Sequence, residues 1–315
     1  MTSTLNPTRS SSAAKKPAHG NRAVPPRKSA ITPRKSGLLT ALMVCVAAYF
    51  LLPLIWLAFA ATKSDTGLFT SFGFAFASDG FKLFDNIASV FAYQDGVFLK
   101  WLGNTALYAG VGAIGATLLA TAAGYAFAKY EFPGRKALFS VLLGSIMVPL
   151  TALAVPTYLL FSGMQLTNTM WAVILPSIIS PFGAYLMRVY AADAVDTSLM
   201  ESARIDGAGE LRIFWQIGLR LLAPGIVTVF LFAVVATWNN YFLPLIMLNN
   251  GDLFPLTVGL AQWQATSTSG GGGGGGAMFS MVITGSFVSI IPLIFLFLYL
   301  QRYWQSGLAA GSVKG

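Results

Sequence analysis

Few residues in this 315-residue chain could carry chemistry. It has one histidine, His19, and one cysteine, Cys45. His19 lies in a polar N-terminal segment, and Cys45 sits in an apolar run, where it reads as a small buried hydrophobe. His-ligated zinc, a disulfide framework and a Ser-His or Cys-His nucleophile therefore lack their residues. Acids and bases gather in one place, residues 188–222, which hold four Arg and five carboxylates with little apolar bulk. Within it Glu201, Arg204 and Asp206 share a short stretch with Leu199, Met200, Ala203 and Ile205.

The elements that must position this cluster are membrane spans. Hydrophobic residues make up 55% of the chain and charged residues 10%, with a mean hydropathy of +0.67. Soluble domains carry about 25% charge, so a soluble enzyme is excluded. Charge-free blocks run over 36–62, 101–128, 137–187, 221–251 and 253–301. A spanning helix needs ~20 apolar residues, and the block 137–187 is long enough for two around the polar turn Ser162–Asn168. The fold class expected is an all-α membrane protein of six transmembrane helices, near 38–61, 104–128, 137–160, 169–190, 223–248 and 278–301. The first is longer than the apolar core of a signal peptide.

Charge sets the orientation. Eight Lys and Arg fall in residues 1–37, and most others lie in 129–136, 188–220 and beyond 301. Only Lys63, Lys82 and Lys100 remain for the other side, so both termini and the 188–222 loop are expected in the cytoplasm. The net charge of +9 thus reflects topology, and no nucleic-acid partner is implied. Residues 1–37, rich in Ser, Pro, Lys and Arg, are expected to be a disordered basic tail, in contact with anionic membrane lipid or simply solvated. The external loops are 62–103, rich in phenylalanine, and 249–277, which contains the seven-glycine run Gly270–Gly276. That run reads as a flexible tether, because no Lys or Ser/Thr follows it in the pattern of a phosphate-binding loop. Residues 303–315 form a cytoplasmic tail, and Asn168 is placed to cap the fourth span.

Within the loop, Ser198-Leu199-Met200-Glu201 reads as a capping box, and Gly207 suits a left-handed position after the helix. A second helix follows from about Glu210 past Phe214, Ile217 and Leu219 to Pro224. A short capped helix held between two spans suits docking into another protein; a merely solvated connection is the other reading.

Glu201-Ser202-Ala203-Arg204-Ile205-Asp206-Gly207-Ala208, followed by Phe214, Ile217 and Leu219, resembles the EAA loop of ABC-importer permeases. Trp101–Thr105, Tyr125–Arg135, Trp238–Leu245 and the tail from Gln301 to Gly315 extend the likeness to the carbohydrate-uptake permeases of the maltose-transporter type. Two positions depart from that pattern: Ser202 stands for Ala, and Arg220 stands where the family places Pro. The resemblance implies a transport subunit without an active site or cofactor of its own. Its partners would be a sister permease, two cytoplasmic ATPase subunits and an extracytoplasmic sugar-binding protein in a bacterial plasma membrane. It assigns the coupling element to Glu201, Ser202, Ala203, Asp206, Gly207 and Ala208. Ala203 and Gly207, four apart, would allow close approach to a partner groove.

Trp238, Asn239 and Asn240 fall within the fifth span as read here. Amides and an indole there either line a sugar pathway or join helices. Gly124, Gly144 and Gly183 read as close-packing sites, and Pro53, Pro149, Pro156, Pro176, Pro181 and Pro244 as kinks. The spans hold no Asp, Glu, Lys or His, and Arg188 lies at the inner end of the fourth. That weighs against the rival readings of a proton- or sodium-coupled secondary carrier and an intramembrane enzyme. A non-transporting membrane scaffold is the third rival.

Overall fold

A computed structural model describes residues 37–269 and 277–311. The segment 1–36, the run Gly270–Gly276 and residues 312–315, for which a basic tail, a tether and the end of a cytoplasmic tail were expected, lie outside the described residues. The chain divides into two units, Met1–Tyr49 and Phe50–Gly315.

Every described regular element is helical. In order these are α1 (Gly37–Ala60), α2 (Asp65–Thr70), α3 (Leu83–Ala92), α4 (Val97–Lys129), α5 (Arg135–Ile146), α6 (Ala154–Gly163), α7 (Trp171–Ser177) and α8 (Pro181–Ala194). They continue with α9 (Thr197–Ile205), α10 (Glu210–Ile213), α11 (Leu219–Trp238), α12 (Phe242–Met247), α13 (Leu256–Ser269) and α14 (Ala277–Gly311). Among the described residues five helical stretches are long and apolar enough to cross a membrane: Gly37–Ala60, Leu83–Lys129, Trp171–Ala194, Glu210–Trp238 and Met278–Tyr303.

The stretch expected at 137–160 is not a continuous helix. It breaks between Ile146 and Ala154 into α5 and α6. Pro149 lacks an amide to continue the ladder and crowds the preceding turn, and residues 147–153 form turns instead. Two other boundaries move. α4 begins at Val97 rather than near 104, and α11 ends at Trp238 rather than near 248. The loop-like stretches 62–103 and 249–277 carry helices of their own, α2 and α3 in one and α13 in the other.

α1 is apolar on every side, and residues 37–56 are exposed. Cys45 is exposed as well, not buried. A helix without a polar face can turn any side to hydrocarbon, so a small thiol needs no protein pocket.

α4 is the axis of the second unit and packs along α8, α11 and α7. Close approach depends on missing side chains. A Cβ on Gly124 would lie 2.5 Å from Met187 Cβ and 2.7 Å from the Arg188 amide nitrogen. One on Gly183 would stand 3.0 Å from Val229, whereas one on Gly144 would meet nothing within 4 Å. The core has a cluster at each end. Phe98, Trp101, Tyr108, Met247 and Trp263 form one, and Tyr125, Met187, Met200, Ile213 and Leu222 the other.

At the first end, the chain after α12 is fastened to the start of α4. Trp101 Nε1 donates to Gly251 O (3.0 Å), Tyr108 Oη to Leu253 O (2.9 Å), and Thr105 Oγ1 accepts from the Leu256 amide (2.8 Å). Asn168, at φ +57°, caps no helix. Its Oδ1 accepts instead from the amides of Asn249 and Asn250, both at 2.9 Å, and so joins two turns.

Candidate functional site: the loop between α8 and α11

The loop is built around one short helix with defined ends. Asp196, rather than Ser198, caps α9, its carboxylate accepting from the Ser198 amide at 2.9 Å. The helix therefore starts two residues earlier than a Ser198 cap would set it, and Ser198 lies in its first turn, donating its own amide to the cap. At the other end Gly207 adopts φ +81°. Its amide donates to Arg204 O (3.0 Å), and the Ala208 amide donates to Ala203 O (2.9 Å). These paired bonds are those of a Schellman ending, which needs a residue in the left-handed region.

A polar staple closes the turn that follows. Arg204 Nε and Nη2 donate to the two carboxylate oxygens of Glu210 at 2.6 and 3.2 Å, and Tyr130 Oη donates to Glu210 Oε2 at 2.9 Å. Burial pushes the pKa of the Tyr130 hydroxyl up, and the hydrogen bond to Glu210 adds to the shift. Lys129 secures the preceding segment through Ala192 O (3.2 Å) and Val195 O. Beneath the helix, Met200 is buried with Val195, Ile213 and Met187, and Tyr125 Oη donates to its sulfur at 3.8 Å. The α9–α10 unit is thus tied to the end of α4.

Beyond α10 the chain takes a π-helical turn, Phe214–Gly218, before entering α11. Such a widened turn often marks a functional site. Arg220 lies two residues beyond it, in the first turn of α11, and is exposed.

The residues assigned to the coupling element divide by environment. Glu201, Ser202, Asp206 and Gly207 are exposed. Ala203 and Ala208 are half-buried and pack against the chain's own core. Ala203 and Gly207 therefore do not form a common small-residue face: the first packs inward, and the second sets the backbone, with open space around it. The outward surface includes apolar residues between α9 and α11 that the charge pattern did not single out: Ile205 (87% exposed), Leu211 (77%), Trp215 (61%) and Leu199 (42%). Opposite charges six residues apart, flanking Gly207 and Gly209, were the available signal for the Arg204–Glu210 staple.

An open cleft of about 340 Å³ lies between the end of α4 and α10, lined by Tyr125, Tyr130, Glu210, Leu211 and Phe214 among others. Its carboxylate is already held by Arg204 and Tyr130, so the cleft offers no free acid or base. Among the described residues no group of three or more His, Cys, Asp or Glu could hold a metal ion.

Trp238, Asn239 and Asn240 lie at a helix end, not in mid-helix. Trp238 closes α11, Asn239 caps it, and Asn240 stands in the break before α12. Trp238 Nε1 donates to Ser289 O of α14 (3.2 Å), and Asn240 O accepts from Thr257 Oγ1 of α13 (2.8 Å). Trp238 thus joins α11 to α14 through its side chain, whereas Asn240 meets α13 only through its backbone carbonyl, its Oδ1 accepting from the Leu243 amide of α12 (3.4 Å). Asn239 is exposed and reaches only its own helix, at Val235 O (2.9 Å).

A chain with several helices long and apolar enough to cross a membrane, and a short capped helix between α8 and α11, has known counterparts. The profile of the family described as "Binding-protein-dependent transport system inner membrane component" matches residues 116–305. The chain belongs to this family. The match contains the whole of α8–α11 and the loop between them. The arabinooligosaccharides transport system permease protein AraQ of Halalkalibacterium halodurans is 33% identical over 289 residues, which is 91% of this chain and 100% of that protein. The lactose transport system permease protein LacG of Rhizobium radiobacter is 30% identical over 276 residues, 86% of this chain and 94% of that one. The crystal structure of a bacterial ABC transporter involved in the import of the acidic polysaccharide alginate contains a chain of the same fold. Its TM-score is 0.73 at 22% identity, covering 85% of this chain and 96% of that chain. As a family member this chain is a multi-pass membrane permease subunit of a binding-protein-dependent transport system.

Proposed function

We propose that this subunit serves an ATP-driven sugar importer and couples closure of separate ATPase subunits to alternating access through the α9–α10 loop. The single observation that carries this is the construction of the loop. α9 is capped at both ends, stapled to α10 through Arg204–Glu210 and pinned to α4, while it presents Leu199, Glu201, Ser202, Ile205 and Asp206 outward. A rigid element with an exposed mixed face can transmit a partner's movement into the helices it joins. Glu201, Ser202 and Asp206 are then contact residues. Ala203, Gly207 and Ala208 are positioning residues that hold the contact face.

In this reading the transmembrane part has six spans, the third being α5 and α6 around their break. Residues 147–153 are exposed in the isolated chain. Irregular backbone is tolerated at membrane depth only when protein covers it or it lines water, so a sister permease covers this break or a pathway runs beside it. The termini and the α8–α11 loop face the cytoplasm, where two ATPase subunits bind. Asn239 is the pathway candidate, and Trp238 and Asn240 hold the neighbouring helices. Sugar as the cargo is supported by the relatives named for arabinooligosaccharides and lactose; delivery falls to an extracytoplasmic binding protein.

The test is affinity purification in mild detergent with mass spectrometry of what accompanies the chain. A second permease and an ATPase are expected, and Ile205→Asp should lose the ATPase while keeping the permease. Recovery of the unaltered chain alone, under conditions that hold another importer together, overturns the proposal.

A further inference from the structure

Within the second unit, at the end of α4 opposite the α8–α11 loop, the chain between α1 and α3 carries a face of phenylalanines with no counterpart elsewhere in the described residues. Phe69, Phe72, Phe74, Phe76, Phe81 and Phe84 are all exposed, Phe72 and Phe84 by about three quarters. They are not scattered. Phe59, near the end of α1, meets Phe76 with ring centroids 5.1 Å apart. Phe76 then meets Phe81, and Phe81 meets Phe84, each at 6.0 Å. Phe72 stands 6.1 Å from Phe74. A contiguous exposed apolar patch marks a protein or membrane contact.

We propose that this face is an interfacial membrane anchor, seated at the headgroup–acyl boundary of the leaflet where α1 ends. Three observations favour lipid over a protein partner. The first is depth. α1 has 24 residues, so at ~1.5 Å each it is ~36 Å long and crosses a hydrocarbon core of ~30 Å with about a turn to spare. Polar sequence begins at Thr62, and the aromatic series starts from Phe59 at that level.

The second is composition. Phenylalanine suits the apolar side of an interfacial element, and the half-exposed Trp56 against Gly73 adds the indole that membrane–water interfaces favour.

The third is how the backbone is satisfied. Irregular chain beside hydrocarbon must not leave carbonyls bare. Here Lys63, only 1% exposed, turns its ammonium inward to Phe72 O (2.7 Å) and Gly73 O (3.4 Å). Asn86 Nδ2 donates to Ala61 O and Lys63 O, both at 2.9 Å, and the Lys82 amide donates to Thr62 O at 2.8 Å. An ammonium and an amide thus take the turn's acceptors on its inner side, while rings cover the outer side. Asp65 fixes the element to the bundle by accepting from the Ser280 amide (2.8 Å) at the start of α14.

Cys45 is the only cysteine, so nitroxide labels can be placed in a Cys45→Ser background. Phe72→Cys and Phe84→Cys report on the face, Leu51→Cys on a lipid-facing site in α1 and Lys100→Cys on water. Lys63 binds the backbone of residue 72 and not its ring, so Phe72→Cys leaves that staple in place. The labelled chain, with the subunits that co-purify with it, is reconstituted in phosphatidylethanolamine–phosphatidylglycerol vesicles. Collision rates with oxygen and with a water-soluble nickel chelate are then measured. The oxygen-to-nickel ratio at both sites should exceed that at Lys100→Cys by about threefold or more and fall below that at Leu51→Cys, as for a site ~5–10 Å into the interface. A ratio equal to that of Lys100→Cys overturns the proposal. So does an immobilised label inaccessible to both quenchers, which would assign the face to a protein partner. In the unsubstituted chain, a phospholipid with a photoreactive group near its ester linkage should label residues 69–84; labelling confined to the spans refutes the anchor.

Discussion

Gly207→Ala isolates the conformational requirement of the loop from its contacts. At φ +81° an L-residue brings its Cβ against the backbone carbonyl, at a cost of roughly 1–2 kcal/mol. Outside residues 206–208 no heavy atom lies within 4 Å of a Cβ built there, so no clash with a neighbouring element adds to that figure. The two bonds closing the helix, Gly207 N–H to Arg204 O and Ala208 N–H to Ala203 O, form only with this residue left-handed. A shift of about 1.4 kcal/mol is tenfold in an equilibrium. The Gly207→Ala chain should therefore exchange the amides of residues 207 and 208 for deuterium about tenfold faster. Gly207→Asn should sit closer to the parent, because Asn enters the left-handed region more readily. Retention of the ATPase subunit through purification should follow the same order. If Asn and Ala behave alike in exchange, or if only charged replacements matter, the backbone argument is wrong.

Other substitutions separate packing from contact. Gly124→Ala should lower the unfolding temperature in detergent, because overpacking costs about 1–3 kcal/mol and the added methyl meets Met187 Cβ at 2.5 Å; Gly144→Ala, with open space around it, should be neutral or stabilising. Lys63→Met leaves the Phe72 and Gly73 carbonyls without their donor, at about 1.5–3 kcal/mol for a hydrogen bond from a charged group, which limited proteolysis between residues 62 and 84 would read as faster cleavage. Asn239→Ala should raise the KM for sugar uptake with little change in thermal stability. Trp238→Phe should do the reverse, through loss of its bond to Ser289 O, where such bonds average ~0.6 kcal/mol.

The parts legible in sequence were those set by local chemistry. α1 runs 37–60 where a charge-free block gave 38–61, because an uninterrupted apolar run has no other stable form in a membrane. Gly207 was readable because a glycine after a short amphipathic run has few other uses. What was not legible depends on neighbours. Pro53, Pro176, Pro224 and Pro292 lie inside helices, while Pro149 stands in a break. A proline's effect is settled by whether surrounding groups satisfy the freed carbonyl, which a single sequence does not display. Asp196 and Ser198 competed for one cap, and only the backbone decided between them. The inward turn of Ala203, the Tyr130–Glu210–Arg204 staple and the docking of Asn168 onto Asn249 and Asn250 join residues distant in sequence or differently exposed. Spacing alone carries no record of such pairings.

In the proposed function this chain moves sugar only when a separate ATPase drives it through the α9–α10 loop. The decisive assay is uptake into proteoliposomes holding the co-purified complex, with ATP enclosed and the binding protein outside, of the radiolabelled sugar that this binding protein retains. Uptake should need both ATP and binding protein, be lost in Ile205→Asp and be unaffected by collapsing ion gradients. Uptake that persists without ATP and falls when a proton or sodium gradient is collapsed would contradict that function.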